Sequence, residues 1–531
     1  MVHKIWHKLV STVTGGAVLI AFFSILSKLA GLLRDRLLAS QFGADAILDI
    51  YYASFRLPDL IFNTLVLGAL SAAFIPVFVR LWSQNKDAAY ELANIILTKL
   101  TGALVVLAGV GIVAAPWIVR LIAPGFDDAS QQTTIVLTRI MLLSIIFFGI
   151  SNVLSGILNS VRDFVPYAIA PIFYNIGIIV GLFWFYPMWG VQGLAYGVVL
   201  GSILHLLIQW PSVNKHGWRW KWLWRSTTEV NKIVRLMIPR TIGLAANQVN
   251  QVVITSIAST LTVGSIAIFN LANNLQHFPV SIFGLSLAIA AFPAFSQAWS
   301  TQNMDAFRGS FTLTFRKILF LIIPVAILIL VLRAQIVRLV LGAGSFDWQD
   351  TYYTAQVLGI FAISLFAQGT IPLLARSFYA FEDTKTPVII GVGAVVVNLI
   401  LSFWLAPIWG VIGLAAAFSF ANILNMLALL IVLREKIGDI DDKQLIRGIV
   451  HICLSSLAAG LTAYALLHVL AAIVDMQTFM GIAIQAVVAF VGGIGAYLMV
   501  AYVLGLPEIK IASNFYRQIF KKPVVNTVND K

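Results

Sequence analysis

The chain has 531 residues, of which 60% are hydrophobic and only 11% charged, where a soluble domain carries about 25% charged residues. No water-soluble fold hides so much apolar surface, so lipid is the solvent for most of this chain. The net charge of +13 invites a nucleic-acid partner, but Lys and Arg flank the apolar segments on one side, as positive-inside topology demands, and no nucleic acid is inferred.

Backbone that crosses a bilayer must satisfy its own hydrogen bonds, which leaves helices or closed barrels. The apolar runs (141–157, 388–405 and 454–474 among them) are long and do not alternate, so they read as helices. The expected fold is an all-α polytopic membrane protein with about fourteen transmembrane helices, at roughly twenty apolar residues each. Residues 1–11 are short and basic and lack a small-residue cleavage site, so they lead into an uncleaved first helix. The predicted spans are 12–41, 46–82, 87–123, 130–160, 164–186, 190–212, 230–258, 263–299, 306–341, 351–380, 386–406, 410–434, 444–473 and 477–505. The single cysteine, Cys453, lies in an apolar run and excludes an intrachain disulfide.

Charge sets the expected direction. With a cytoplasmic N-terminus, the inner loops take Lys86, Arg162, the run Lys215/Arg219/Lys221/Arg225/Lys232/Arg235, then Arg308/Arg316/Lys317, Lys385 and Arg434/Lys436/Lys443/Arg447. The tail adds Lys510, Arg517, Lys521, Lys522 and Lys531. The outer loops hold Asp45, Asp127/Asp128, Asp347/Asp350 and Asp475, without Lys or Arg; Arg120, Arg139, Arg333 and Arg338 fall inside spans, towards their outer ends. Both termini are therefore expected in the cytoplasm, and the number of spans is even.

The chain also repeats itself. Trp189-Gly-Val-Gln-Gly-Leu-Ala195 recurs 220 residues on as Trp409-Gly-Val-Ile-Gly-Leu-Ala415. The same offset relates Trp184 to Trp404, Pro187 to Pro407, Asp163 to Asp383 and Phe126-Asp127 to Phe346-Asp347, while Arg56-Leu57-Pro58 meets His277-Phe278-Pro279 at 221. Each unit holds six spans, so the copies face the same way, and two such lobes around a central cavity suit alternating access. The expected organisation is a first lobe over 1–212, a basic cytoplasmic linker over 213–229, a second lobe over 230–434, two added helices over 435–505, and a basic tail over 506–531.

Ionisable groups inside a bilayer are costly and usually act where they sit. They concentrate in the first two spans, as Ser27-Lys28, Arg34-Asp35-Arg36, Asp49 and Arg56. Ser27 and Arg34 are seven apart, as are Lys28 and Asp35, so each pair shares a helix face. Arg56 precedes Leu57-Pro58, where the ring removes a donor and favours a break. One reading is a cationic cavity wall for an anionic substrate, with guanidinium forks suited to phosphate oxygens; the other is that these groups snorkel and pair among themselves near an interface. The first is adopted for Arg34, Asp35 and Arg56, Lys28 stays open, and Arg36 is read as interfacial. In the second lobe Arg240, Asn247, Asn250 and Gln251 line the seventh span, and Asn270, Asn273, Asn274, Gln276 and His277 the eighth. Spacings of three and four put each set on one stripe. Cavity lining is preferred there to interhelical hydrogen bonding, because the repeat sets this stripe opposite the Arg56 region.

No enzyme site emerges. The seven histidines make no metal-ligand cluster, no Gly-rich phosphate loop is present, and the short outer loops leave no room for a catalytic domain. No metal and no cofactor are expected. A coupling ion is left unidentified; the membrane potential, worth about 2.3 kcal/mol per charge per 100 mV, could drive a cationic cavity without nucleotide.

The stretch Ser27-Lys-Leu-Ala-Gly-Leu-Leu-Arg-Asp-Arg36, with Phe42-Gly-Ala44, Asp49, Phe55-Arg-Leu-Pro-Asp59 and Gly68-Ala-Leu-Ser-Ala-Ala-Phe-Ile-Pro76, resembles the opening of the MurJ/MviN lipid II flippases. These belong to the multidrug/oligosaccharidyl-lipid/polysaccharide exporter superfamily. Ala123-Pro-Gly-Phe126, Pro239-Arg240, Phe278-Pro279 and Phe378-Tyr-Ala-Phe-Glu-Asp-Thr-Lys-Thr-Pro387 fit the same family, and the resemblance covers essentially the whole chain. It implies a flippase of the cytoplasmic (inner) membrane that carries undecaprenyl-pyrophosphate-linked disaccharide-pentapeptide, a lipid-linked glycan, to the outer leaflet. It further implies membrane lipids and cell-wall synthesis proteins as partners. Ser27, Lys28, Arg34, Asp35, Asp49 and Arg56 match the family's cavity and gating positions, and a groove between the last two helices would hold the prenyl tail. Two departures stand out. The family commonly has an arginine just after Arg-Leu-Pro, where this chain reads Leu60-Ile-Phe-Asn63, and an Asp-Arg pair in the eighth helix, where this chain reads Asn273-Asn274. Export of another lipid-linked glycan is the alternative within transport. An integral-membrane glycosyltransferase or polymerase, which would need an essential outer carboxylate, is the alternative outside it.

Overall fold

A computed structural model describes residues 13–67, 74–439 and 442–509. The described residues are helical between short turns, apart from a non-helical linker over 218–227. The helices are α1 Val13–Phe42, α2 Ala46–Ser54, α3 Arg56–Ile61, α4 Ile75–Gln84, α5 Lys86–Ile122, α6 Asp128–Met141, α7 Ser144–Ser160, α8 Phe164–Val180, α9 Tyr186–Trp189, α10 Val191–Leu207, α11 Trp210–Lys215, α12 Thr228–Ser259, α13 Ser265–Pro279, α14 Ser286–Ser300, α15 Met304–Val340, α16 Trp348–Ala380, α17 Lys385–Trp409, α18 Val411–Ile437, α19 Asp442–Ala471 and α20 Phe479–Val503. Wide π-helical turns over Phe62–Leu67, Gly181–Phe185 and Val280–Leu285 follow α3, α8 and α13.

The protein is an all-α polytopic membrane protein. Among the described residues 11 helices are long and apolar enough to cross a bilayer, against the fourteen expected. The other three expected spans fall on α1, on α2 to α4, and on α12. These carry Lys28, Arg34, Asp35 and Arg36, then Asp49, Arg56 and Asp59, then Lys232, Arg235 and Arg240. α2, α3 and α4 are each shorter than a span, and in α12 the Asn and Gln residues lower the hydropathy.

Three prolines show how lipid-embedded backbone is kept satisfied. A helical proline cannot donate to the carbonyl four residues before it, and in a membrane that carbonyl needs another donor. Pro58 frees the carbonyl of Ser54, where α2 ends, and Thr138 Oγ1 donates to it at 3.4 Å. Pro116 inside α5 frees Ile112, which accepts from Arg139 Nε at 3.0 Å. Pro324 inside α15 frees Phe320, which accepts from Tyr497 Oη at 2.7 Å. Arg139, an exception in the charge partition, thus has a structural use.

Corresponding turns of the two repeats share their geometry. Arg162 and Glu382, 220 apart, both adopt left-handed backbone (φ 63° and 60°). The N–H of Asp163 donates to the Leu158 carbonyl at 2.9 Å and that of Asp383 to Phe378 at 3.0 Å. Asp163 Oδ2 then meets His216 Nε2 at 3.3 Å, and Asp383 Oδ2 meets Lys436 Nζ at 3.0 Å, partners again 220 apart. Gly190 and Gly410 have φ of 58° and 60°, which a side chain would strain.

By contacts the chain forms two compact units. The first comprises Met1–Asn274, Val340–Val357 and Val395–Ala417, and the second Leu275–Leu339, Leu358–Ala394 and Phe418–Lys531. The second is built on Phe295, Phe307, Phe311, Phe315, Phe378 and Phe381 together with Ala459, Ala463, Ala489 and Tyr497 of α19 and α20. Small residues let those two helices approach closely, as membrane packing without a hydrophobic drive requires. A buried pair, Arg316 Nε to Glu508 Oε1 at 2.7 Å, fixes the segment after α20 onto α15.

Candidate functional site

Within the first unit, one face of α13 and the turn before it collect the charged groups of the first two spans. Asp49 accepts from the backbone N–H of Gly264 (Oδ2, 2.7 Å) and of Ala267 (Oδ1, 2.7 Å), satisfying donors that a helix start leaves open. Gly264 has φ +89°, and a Cβ there would meet the Ala44 carbonyl oxygen. One turn further, Asn270 Oδ1 accepts from Arg56 Nη2 at 2.7 Å, and Thr255 Oγ1 on α12 accepts from Arg56 Nε at 2.6 Å. One turn further again, Asn274 Nδ2 donates to Asp35 Oδ2 at 2.9 Å. Positions 267, 270 and 274 lie on one helical stripe about 10 Å long.

The electrostatics separate the two arginines. Arg34 donates through Nε (3.0 Å) and Nη2 (2.7 Å) to Asp35 Oδ1, so its charge is neutralised by its neighbour, which is only 3% exposed. Tyr51, Tyr52 and Tyr174 are its electrostatic neighbours. Arg56, by contrast, is held by two neutral oxygens, and among the described residues no carboxylate pairs with it within salt-bridge distance. Its electrostatic neighbours are Asp59, three residues on in the same helix, and Tyr52.

The remaining expected residues are less engaged. Ser27 and Lys28 are half-buried on α1, away from any hydrogen bond or ion pair with the described residues. Asn273 is half-buried and has a partner, as does the exposed His277; His277 falls in the second unit. The side chain of Arg240 lies outside the described residues. Arg36 Nη1 donates to the Val340 carbonyl at 3.1 Å. Asn250 accepts from Asn398 at 2.8 Å, an interhelical bond of the second kind weighed above. At the first family departure Phe62 packs on Phe148, ring centroids 5.4 Å apart. At the second, Asn274 holds Asp35. Thr255 was not singled out in the sequence, although it extends the stripe 247/251 by one more turn.

Around this stripe the predicted outer loops of both repeats are hydrogen-bonded together within the same unit. Ser345 N donates to Ser40 O at 2.8 Å, Ala44 N to Asp350 Oδ2 at 2.9 Å, and Gly125 N to Ser259 Oγ at 3.1 Å. Three further outer aspartates cap helices: Asp45 accepts from Ala46 N, Asp127 from Ser130 N and Asp347 from Asp350 N. Among the described residues no group of His, Cys, Asp and Glu could hold a metal ion.

Comparison with known proteins places the chain in a family. A family model described as "Lipid II flippase MurJ" matches residues 38–489. A lipid II flippase MurJ of Burkholderia cenocepacia is 30% identical over 425 residues, covering 78% of this chain and 82% of the relative. A probable lipid II flippase MurJ of Bdellovibrio bacteriovorus is 30% identical over 507 residues, 93% of this chain and 95% of the relative. Among solved structures, a lipid II flippase MurJ in an inward closed conformation superposes with a TM-score of 0.75 at 24% identity, covering 95% of this chain and all of that one. A multidrug resistance MATE family transporter of the MOP superfamily gives 0.66 at 15% identity, over 80% of this chain and 99% of that one. The fold is therefore that of these transporters, and the glycosyltransferase alternative falls away. The chain belongs to the MurJ family of lipid II flippases, which are transporters and not enzymes.

Proposed function

We propose that the protein flips lipid II, the undecaprenyl-pyrophosphate-linked disaccharide-pentapeptide, from the inner to the outer leaflet of the cytoplasmic membrane by alternating access, with both termini cytoplasmic. The observation that carries this is the stripe on α13 that gathers Asp49, Arg56 and Asp35, each from an early span of the first repeat. Arg56 is the cation for the pyrophosphate. Its present hydrogen-bond acceptors, Thr255 and Asn270, are neutral and can be exchanged for phosphate oxygens. Arg34 joins only when Asp35 releases it. Ser27, Lys28, Arg240, Asn273, Asn274 and His277 complete the proposed cavity lining, and the apolar faces of α19 and α20 take the prenyl tail. The hydrogen bonds from Ser345 to Ser40 and from Ala44 to Asp350 hold the outer side shut and must break for release.

Lipid II accessibility at the outer surface, measured in cells depleted of their own flippase, tests this reading. The wild-type chain restores accessibility, and a cysteine pair at Ser40 and Ser345, in a Cys453→Ser background, blocks it on oxidation and releases it on reduction. Correct membrane insertion without restored accessibility sinks the proposal in favour of another lipid-linked glycan.

A further inference from the structure

The linker between α11 and α12 reads Gly217-Trp-Arg-Trp-Lys-Trp-Leu-Trp-Arg-Ser226. It is not helical, and extended chain sends alternate side chains to opposite faces. Trp218, Trp220, Trp222 and Trp224 therefore share one face, and Arg219, Lys221 and Arg225 the other. The linker lies along α5 in a matched register. Lys221 N donates to Asn94 Oδ1 at 3.2 Å, and Leu223 N to Thr98 Oγ1 at 3.1 Å. Two extended residues advance about 6.6 Å and four helical residues about 6 Å, so the two chains stay in step. Asn94 Nδ2 also donates to the Arg219 carbonyl at 3.1 Å.

Burial changes along the tryptophan face. Trp218 is fully buried, but Trp222 is 65% and Trp224 73% exposed. Indoles left exposed beside a membrane helix need an apolar or interfacial neighbour. The position along α5 supplies it. Residues 100–119 of α5 carry no charge and are bounded by Lys99 and Arg120. Twenty helical residues span about 30 Å, the thickness of the hydrocarbon core. Trp224 lies on Gly102, where a Cβ would meet its ring at 2.9 Å, just inside the Lys99 end. From there the exposed Val106, Val110, Val113 and Trp117 continue the stripe along the helix. At the opposite end the repeat-related Trp184 and Trp404 are exposed at 64% and 66%, as expected for an aromatic belt at the other interface.

We propose that residues 218–225 are an anchor for anionic phospholipid. Trp222 and Trp224 seat at the boundary between headgroups and acyl chains, and Arg219 and Lys221 bind headgroup phosphates. Arg219 and Lys221 are exposed and have no ion-pair partner among the described residues, whereas Arg225 pairs with Glu91. The leaflet rests on the N-in orientation proposed above; the anchor itself does not.

The test uses the full chain with Cys453→Ser and Trp222→Cys, labelled with an environment-sensitive fluorophore and reconstituted in phosphatidylcholine vesicles with and without phosphatidylglycerol. The label is expected to be quenched by lipid spin-labelled near the headgroup and spared by aqueous iodide. Quenching by iodide alone, or by neither reagent, overturns the proposal. Native mass spectrometry of the purified protein should show phosphatidylglycerol retained in preference to phosphatidylcholine, with each of Arg219→Ser and Lys221→Ser lowering that preference about fivefold. An unchanged preference in the correctly folded double variant also overturns it. Labelling that a membrane-impermeant reagent achieves from outside intact cells overturns the orientation and leaves the anchor standing.

Discussion

In the first repeat Asp163, set after a left-handed Arg162, reaches His216; in the second, Asp383 after Glu382 reaches Lys436. The turns match in backbone and partners at an offset of 220, yet the groups inside the spans do not correspond. Where the first copy has Arg56, the second has His277, and at the same offset of 221 the Asp49 of the first corresponds to Asn270 in the second. Between the two copies the turns that close helices match, and the charged groups inside the spans differ. Turn geometry is fixed by local backbone constraints, and a change there destabilises either copy. An intramembrane charge survives only where something uses it.

The largest test of that asymmetry is Arg56→Ala. Losing two charge-assisted bonds, each worth about 1.5–3 kcal/mol, should lower flipping by at least about 100-fold in the lipid II accessibility assay. His277→Ala, at the matching place in the second copy, should cost less than about threefold; equal losses would break the comparison. Next comes Asp49→Ala. Two backbone donors at the start of α13 lose their acceptor, at about 2–3 kcal/mol, and the detergent-solubilised protein should melt several degrees lower. Tyr497→Phe exposes the Phe320 carbonyl freed by Pro324 and should cost about 1 kcal/mol. Thr138→Val, whose bond to Ser54 is long at 3.4 Å, should cost about half as much in the same melting assay.

The smallest effect concerns the inner turns. Burial would raise the Asp383 carboxyl, but the N–H of Thr386 and Lys436 hold it at about 2. A carboxyl held below its ordinary value of about 3.9 stabilises fully above that value, and the gain is lost as pH falls through about 2. Asp383→Asn should therefore lower the melting temperature by at most about 2 °C. That difference should stay the same from pH 8 to pH 5; closing within that range would mean another group carries the turn.

Much of the fold was legible in the sequence. The observed helices begin and end within a few residues of the expected spans, because apolar length and flanking charge are local signals. The break near Arg56 was foreseen from Pro58, and it falls at Ser54, whose carbonyl the proline cannot serve. The candidate site was legible as a set of residues and not as a set of bonds. Arg34 and Arg56 read alike along the chain, as two cations in adjoining spans. Only the folded unit shows that Asp35 pairs directly with one while the other is hydrogen-bonded by the neutral oxygens of Thr255 and Asn270.

Composition and periodicity by themselves determined that this chain lives in lipid, crosses it many times as helices, and carries a duplicated core whose polar groups crowd into the earliest spans. Those conclusions follow from solvation and covalent geometry, which act on each residue where it stands. Tertiary structure alone decided that Asp49 serves as a helix cap, that Arg139 and Tyr497 answer for prolines on other helices, and that one face of α13 receives three charged groups. Each of those depends on which helix lies against which, and a hydrogen bond between residues some 200 positions apart leaves no local trace in the sequence.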